Sequence, residues 1–321
     1  MLEHLLRGSG LTGLCGMLPV SKRDGLTLYR PLLIFSRVQL RQFLQSEGLI
    51  WREDASNADP RYLRNALRLD ILPRLEALSP GVSARLAATA GILQADEKHL
   101  AEQAGVLLTR AMRSDGLLAL EALLPLDDAL LRRVLRLWWL RIAPDGSQPL
   151  TQPQTDALCL LVRGRAGGVG NLPDRGSAHR GYRYLHPIWG GTMPVPSGPV
   201  AAEDGACLCG VTLRLTEAGT GCGDGRLSQV LPADLLRDCV LRTRRPGDVI
   251  RPFGSSGTQS LQDYFVNRKL DAPFRDRVPL LARGSQVLLV CGVGAGAIPR
   301  MDNISRPLVR LCWEGDIPWG P

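Results

Sequence analysis

Apolar residues recur at helical spacing through the first half of the chain and take short, strand-like runs in the last third. Leu2, Leu5 and Leu6 predict the last turns of a helix, with nothing ahead of them to cap it. A glycine-rich loop follows from Arg7 through Gly8, Ser9, Gly10, Gly13 and Gly16, and Leu28-Tyr29-Arg30-Pro31-Leu32-Leu33 predicts a short extended run. Ser36 stands three residues before Gln39, the spacing of a capping box, and opens a helix whose buried stripe is Leu40, Phe43 and Leu44 and whose end is Gly48. Asp59-Pro60 predicts a second helix, the acid as N-cap and proline in the first turn, running to about Pro73.

Residues 80–142 read as helical, with Leu86, Ala90, Leu93, Leu100, Ala104 and Leu107 on one stripe. Asp127 or Asp128 starts a further helix through Trp138 and Trp139, which are expected in a core. Residues 143–156 read as a Pro/Gln/Ser linker, and residues 190–225, rich in Gly, Pro and Ala, as the clearest boundary. Beyond it the pattern shortens. Cys239 to Arg245 alternates as a strand, Pro246-Gly247-Asp248 turns it, and Ser260 with Asp263 caps a helix bearing Leu261, Tyr264 and Phe265. Pro279-Leu280-Leu281 and Gln286 to Cys291 then predict a strand pair turned at Arg283-Gly284-Ser285.

Composition bounds this picture. A chain of 321 residues, 45% of them hydrophobic, has room for two or three domains. No run approaches a membrane span, and the N-terminus carries no leader pattern, so the expected place is the cytoplasm, without membrane partners. Eight scattered cysteines with no CxxC pair predict reduced thiols. Cys207, Cys209 and Cys222 find no fourth ligand at useful spacing, the nearest histidine being His186, and no metal site is expected. The net charge of +8 divides as +3 over residues 1–80, zero over 81–239 and +5 over 240–321. Positive charge at both ends of a neutral middle suits a polyanion held by two modules, and ordinary solvation produces it as well.

The densest polar constellation runs from Trp51 to Arg68. Asp54, Ser56 and Asn57 have short side chains that bind backbone amides and fix a loop. Arg61, Arg64, Asn65 and Arg68 then lie three or four apart and share one helix face, with Leu63 and Leu67 on the buried side. Such a face is a phosphate-binding fork or a solvated surface paired with local acids.

Three stretches carry a resemblance, in order and at similar spacing. They are Arg7-Gly8-Ser9-Gly10-Leu11-x-Gly13-Leu14-x-Gly16-Met17, then Arg30-Pro31-Leu32-Leu33, then Asp54-x-Ser-Asn-x-Asp-x-x-Tyr-x-Arg-Asn-x-x-Arg68. The chain resembles the tRNA(Ile)-lysidine synthetase family. The last module, with Arg242-x-Arg244-x-x-Gly247-Asp248, Ser260-Leu261 to Lys269-Leu270, Arg275 and Pro279-Leu280-Leu281, is similar to that family's C-terminal domain.

The resemblance implies α/β, all-α and small α+β parts in turn. Residues 1–78 would be the C-terminal remnant of an ATP-pyrophosphatase-type (PP-loop) catalytic domain and 79–190 a helical substrate-binding domain. Residues 191–235 would be a linker, and 236–321 the tRNA-binding domain. The implied activity is a carbon–nitrogen ligation. ATP, with Mg2+, activates C2 of the wobble cytidine of the CAU-anticodon tRNA(Ile), and the ε-amine of free L-lysine displaces AMP. By the same resemblance Asp54, Arg64 and Asn65 are catalytic, and Arg7, Gly8, Ser9, Gly10, Asn57, Tyr62 and Arg68 line the substrate or nucleotide pocket. Arg61, Arg242, Arg244, Arg245, Lys269 and Arg275 bind tRNA. A homodimer is an open expectation.

The family's Ser-Gly-Gly-x-Asp-Ser loop, which cradles the ATP pyrophosphate, occurs nowhere in the sequence. The expectation is a chain that begins downstream of that loop, binds tRNA and does not adenylate it alone. A non-catalytic tRNA-binding module or subunit is the alternative, and a sulfur-inserting relative is disfavoured by the lack of paired cysteines. Gly292-x-Gly294-x-x-Ala297 imitates a dinucleotide fingerprint, but Pro299 blocks the helix it requires.

Overall fold

The computed structural model describes residues 1–23, 25–52, 59, 61–189, 198–218, 223–298 and 307–319. The chain divides into two compact units, Met1–Gln103 and Ala104–Pro321, the division falling inside one long helix.

The first unit opens with α1 (Leu2–Leu6) and α2 (Leu11–Leu14), then a hairpin of β1 (Val20–Arg23) and β2 (Leu26–Tyr29) paired Val20 to Tyr29. The extended run expected to Leu33 stops at Tyr29. Pro31–Ile34 is a turn of 3-10 helix, because proline fixes φ near the helical value and opens the turn at its first position. The capping box of α3 (Arg37–Ser46) is present: Gln39 N–H donates to the Ser36 hydroxyl at 3.2 Å and Ser36 N–H to Gln39 Oε1 at 2.8 Å. Its expected stripe is only half realised, since Leu40 and Leu44 are half-buried and Phe43 is exposed.

The second helix departs from expectation at both ends. Asp59 is not its N-cap; α4 (Leu63–Ala66) begins after Tyr62, and the Asp59 carboxylate instead takes the backbone N–H and guanidinium of Arg61. Nor does Pro73 end it. A π-helical stretch, Leu67–Ile71, precedes α5 (Leu72–Leu78), shifting the hydrogen-bond register so that the missing proline N–H is absorbed. The expected faces of α4 are reversed as well: Leu63 is exposed and Asn65 is buried. Pro60 and the run 53–58, with Asp54, Ser56 and Asn57, lie outside the described residues.

Helix α6 (Val82–Ala111) follows. Glu76 accepts from the N–H groups of Gly81 at 2.7 Å and Ser83 at 3.1 Å and so satisfies its first donors. The N–H of Ser83 and then that of Gly81 hold the Glu76 carboxyl below its usual range.

The second unit packs β3 (Leu118–Ala119), α7 (Leu120–Leu123), α8 (Asp128–Ile142) and α9 (Gln152–Arg163) with β4 (Val169–Asn171), β5 (Gly176–Arg180) and β6 (Tyr184–Trp189), the antiparallel sheet running β3-β6-β5-β4. Asp127 caps α8 through Leu130 N–H at 2.9 Å. Trp138 and Trp139 are fully buried, their indoles donating to the carbonyls of Gly116 and Gln148, both at 2.8 Å. Buried indoles need such acceptors. The linker expected over 143–156 ends at Thr151, where the Thr151–Gln154 box starts α9.

Residues 191–235, expected as linker, supply β7 (Val200–Ala201), β8 (Cys207–Leu208), β9 (Val211–Glu217), β10 (Ser228–Pro232) and α10 (Ala233–Leu236). Then come β11 (Val240–Arg242), β12 (Val249–Ile250), β13 (Gln259–Ser260), α11 (Leu261–Asn267), β14 (Leu280–Arg283), β15 (Gln286–Val290), β16 (Gly294–Ala295) and β17 (Leu308–Gly315). Strand β9 pairs with β17, Val211 opposite Gly315, and β7 with β11. Those partners lie far along the chain, so local composition could not announce the strands. The two sheets, β10-β17-β9-β8 and β13-β12-β15-β14-β11-β7, share one core around Leu213, Tyr264, Phe265 and Leu289.

Candidate functional site

The Arg7–Gly10 loop is fixed from below. Gly8, at φ 68°, closes α1 with its N–H on the Leu5 carbonyl, and Ser9 N–H reaches the His4 carbonyl at 2.9 Å. Gly13 permits the approach of α2, because a Cβ there would stand 2.5 Å from Ser9 Cβ. Helix α2 is tied to α6 by Thr12 Oγ1 donating to Glu97 Oε1 at 2.7 Å and Gln94 Nε2 to the Cys15 carbonyl at 2.7 Å. Arg7 pairs with Glu3 at 2.7 Å, and Gly8 and Gly10 have open space where side chains would be.

On the 61–68 segment the three arginines differ. Arg61 forms a two-pronged pair with Asp59, Nε to Oδ2 at 3.0 Å and Nη2 to Oδ2 at 2.7 Å. That side-chain bond, and then the backbone N–H of Arg61, hold the Asp59 carboxyl below its usual range. Asn65 is buried and ties the turn to the helix, donating from Nδ2 to the Asp59 carbonyl at 2.9 Å while Arg68 Nη2 approaches its Oδ1 at 3.4 Å. Tyr62 is exposed. Arg64 is exposed and has no ion-pair partner among the described residues. It is the available guanidinium of the segment.

The C-terminal cations fall into two kinds. Arg242, expected among the tRNA contacts, is buried: it grips Asp248 at 2.7 and 2.8 Å and donates to the carbonyls of Thr243 and Gly284. A guanidinium locked on both edges inside the core cannot reach a phosphate; it holds the Pro246-Gly247 turn. Arg244 is engaged by Asp276 and Gln262, and Arg275 caps the Leu270 carbonyl at 3.0 Å. Arg245 and Lys269 are exposed. Gly292 and Gly294 belong to no dinucleotide fingerprint, since Gly294 lies in β16 and a Cβ there would meet the Tyr264 hydroxyl at 2.5 Å.

Sequence reasoning missed the joint at His186. Its Nε2 lies 2.8 Å from Asp271 Oδ2, both side chains 3% exposed, and Phe274 packs edge-on to the imidazole at 4.8 Å between ring centres. Asp271 also accepts the N–H groups of Tyr182, Arg183 and Tyr184, so the β5–β6 turn closes on it. A side chain at Gly181 would collide with that carboxylate. The partners stand 85 residues apart, and no local spacing joins them.

Comparison with known proteins gives matches at both ends of the chain. Residues 1–75 match the family described as PP-loop domain and residues 239–313 the TilS substrate C-terminal domain. The chain is 33% identical to a tRNA(Ile)-lysidine synthase of Symbiobacterium thermophilum over 97% of its own length and 69% of the relative's. A tRNA(Ile)-lysidine synthase of Geobacter sulfurreducens is 31% identical over 98% and 69%. A crystal structure of a TILS C-terminal domain overlaps 38% of the chain and 93% of its own, at 22% identity and a TM-score of 0.30.

Proposed function

Because the chain belongs to the tRNA(Ile)-lysidine synthase family, we propose that Arg64 stands at its reaction centre. Members of the family are ATP-using ligases that form a carbon–nitrogen bond on a tRNA. The finer reading is that free L-lysine is joined to C2 of the wobble cytidine of a CAU-anticodon tRNA(Ile), with Mg2+ accompanying ATP, in the cytoplasm. We place the catalytic portion in residues 1–78 and tRNA contacts in 79–190 and 236–321.

The observation that carries the placement is the contrast on one short segment. Arg61 is neutralised by Asp59, Asn65 is buried as a tie, and Arg64 presents its guanidinium to solvent. A planar, permanently charged fork on a helix suits a phosphate oxygen or the cytidine carbonyl oxygen as charge builds there. Asn65 acts through Arg68 and the Asp59 turn and is a positioning residue. Tyr62, the Arg7–Gly10 loop, Asp54 and Asn57 belong to the same wall in this reading, the last two lying outside the described residues.

The fit to ATP is partial. Gly8 and Gly10 leave open space beside the backbone, as the side wall of a nucleotide site would. No Ser-Gly-Gly-x-Asp-Ser run that would wrap the pyrophosphate stands among these 321 residues.

Arg64→Ala, in an enzyme that carries the ATP loop, should lower tRNA-dependent incorporation of labelled lysine by about 100-fold and leave tRNA affinity almost unchanged. Equal loss of rate and affinity would remove Arg64 from the reaction centre.

A further inference from the structure

We propose that a cavity in the second unit, walled by His186, Phe274 and Trp319, binds a free amino acid with an apolar side chain. The cavity has about 260 Å3 of room, where a single buried water needs only about 15 Å3. Its walls come from β6, the β8–β9 turn, the 3-10 turn Ala272–Phe274 and the segment after β17. None of its lining residues belongs to the first unit, so the site is separate from the one proposed around Arg64.

The observation that carries the proposal is the state of His186. Its side chain is 3% exposed, and Nε2 lies 2.8 Å from Asp271 Oδ2. A carboxylate oxygen only accepts, so Nε2 carries the hydrogen and the neutral imidazole keeps Nδ1 as an acceptor. His186 lines the cavity, and no donor among the described residues meets Nδ1. A buried acceptor without a donor is unfavourable, and a ligand N–H group removes the deficit. No group of three His, Cys, Asp or Glu able to hold a metal ion stands among the described residues, so the nitrogen suits an organic donor.

Much of the remaining wall is apolar and fixed before a ligand arrives. Phe274 lies 4.8 Å from the His186 ring and 5.5 Å from that of Trp319, centre to centre. The Trp319 indole is anchored in turn, donating to the Cys291 carbonyl at 2.8 Å. Pro187 and Ile188 of β6 add aliphatic surface. A rigid apolar cleft with a few convergent polar groups is the usual form of a small-molecule site.

The charged groups of the lining select a zwitterion. The Arg277 guanidinium suits an α-carboxylate, and the α-ammonium donates to His186 Nδ1. Asp115 and Asp316, also in the lining, supply the negative field for that ammonium; they are 35% and 66% exposed and share Arg113, at 3.6 and 2.8 Å. Exposed acids repel phosphates, so a free small molecule fits here better than RNA. The ligand's side chain is left with the Phe274 and Trp319 rings, which favour leucine over lysine.

The test titrates L-leucine into the full chain by calorimetry, with L-lysine, isoamylamine (leucine without its carboxylate) and isocaproate (leucine without its ammonium) alongside. L-Leucine should bind, and each of the other three should bind about 10-fold more weakly or worse. Arg277→Gln should weaken leucine by about 10-fold, and Ile188→Trp, which fills the cavity, should abolish its binding. In the wild-type chain with isotope-labelled histidine, assigned through the backbone, leucine should shift the His186 Nδ1 resonance. A wild-type chain that binds no leucine, or that binds it with this resonance unmoved, overturns the site whether or not the variants fold. Isoamylamine or isocaproate binding as well as leucine overturns the zwitterion, and lysine binding more tightly overturns the apolar side chain.

Discussion

The two units use the same local grammar and end with different interiors. In Ala104–Pro321, amphipathic helices and alternating strands enclose two cores, one around Trp138, Trp139 and Leu185, the other around Tyr264, Phe265 and Leu289. In Met1–Gln103, well-formed elements leave their apolar residues outside: Leu32, Ile34, Phe35, Val38 and Phe43 are all exposed, and Cys15 and Asn65 are the buried residues among those described. Helix α3 has its full capping box and still lacks a buried residue. Periodicity and caps specify that a helix forms and which face would be covered. Burial needs a second layer, which no pattern inside one element supplies.

The comparison can be broken first at Arg242. Arg242→Ala strands Asp248 as an uncompensated buried charge, and chemical denaturation of the second unit should lose about 3–5 kcal/mol. A loss below about 1 kcal/mol would mean that water reaches the pair. Next comes a cap on a helix that does reach a core. Asp127→Ala removes the acceptor of Leu130 N–H and should cost about 1 kcal/mol in the same measurement. The smallest effect belongs to the first unit. Phe43→Ser should change unfolding free energy by less than about 0.5 kcal/mol while lowering the binding of a hydrophobic dye. A Phe43 penalty like that of a core residue would show that α3 is covered in solution, and the contrast between the units would fall.

Legibility in the sequence followed the range of the interactions. The Ser36–Gln39 box, Asp127, Ser260 with Asp263, the Pro246-Gly247-Asp248 turn and the β14–β15 hairpin involve residues only a few positions apart. All were readable. The 191–235 segment was misread because β7 and β9 become strands only when residues 240–242 and 308–315 arrive beside them. The Asp59 error has another source: an acid before proline caps a helix in general, and here Arg61 competes for the same carboxylate.

The candidate site divides in the same way. The arginine spacing from 61 to 68 is a property of the sequence, but which guanidinium is available was settled by burial of Asn65 and by the Asp59 pair. Arg242 and Arg245 read alike in a string of letters, and one is in the core.

What the sequence by itself determined is the order of helices, turns and hairpins and the family to which the chain belongs, since both are written in short-range spacing. Only the tertiary structure decided which charges are neutralised, which are left facing water, and which apolar faces find a partner. The reason is physical: the energy of a charge or a buried face depends on what folds next to it, and those neighbours come from anywhere in the chain.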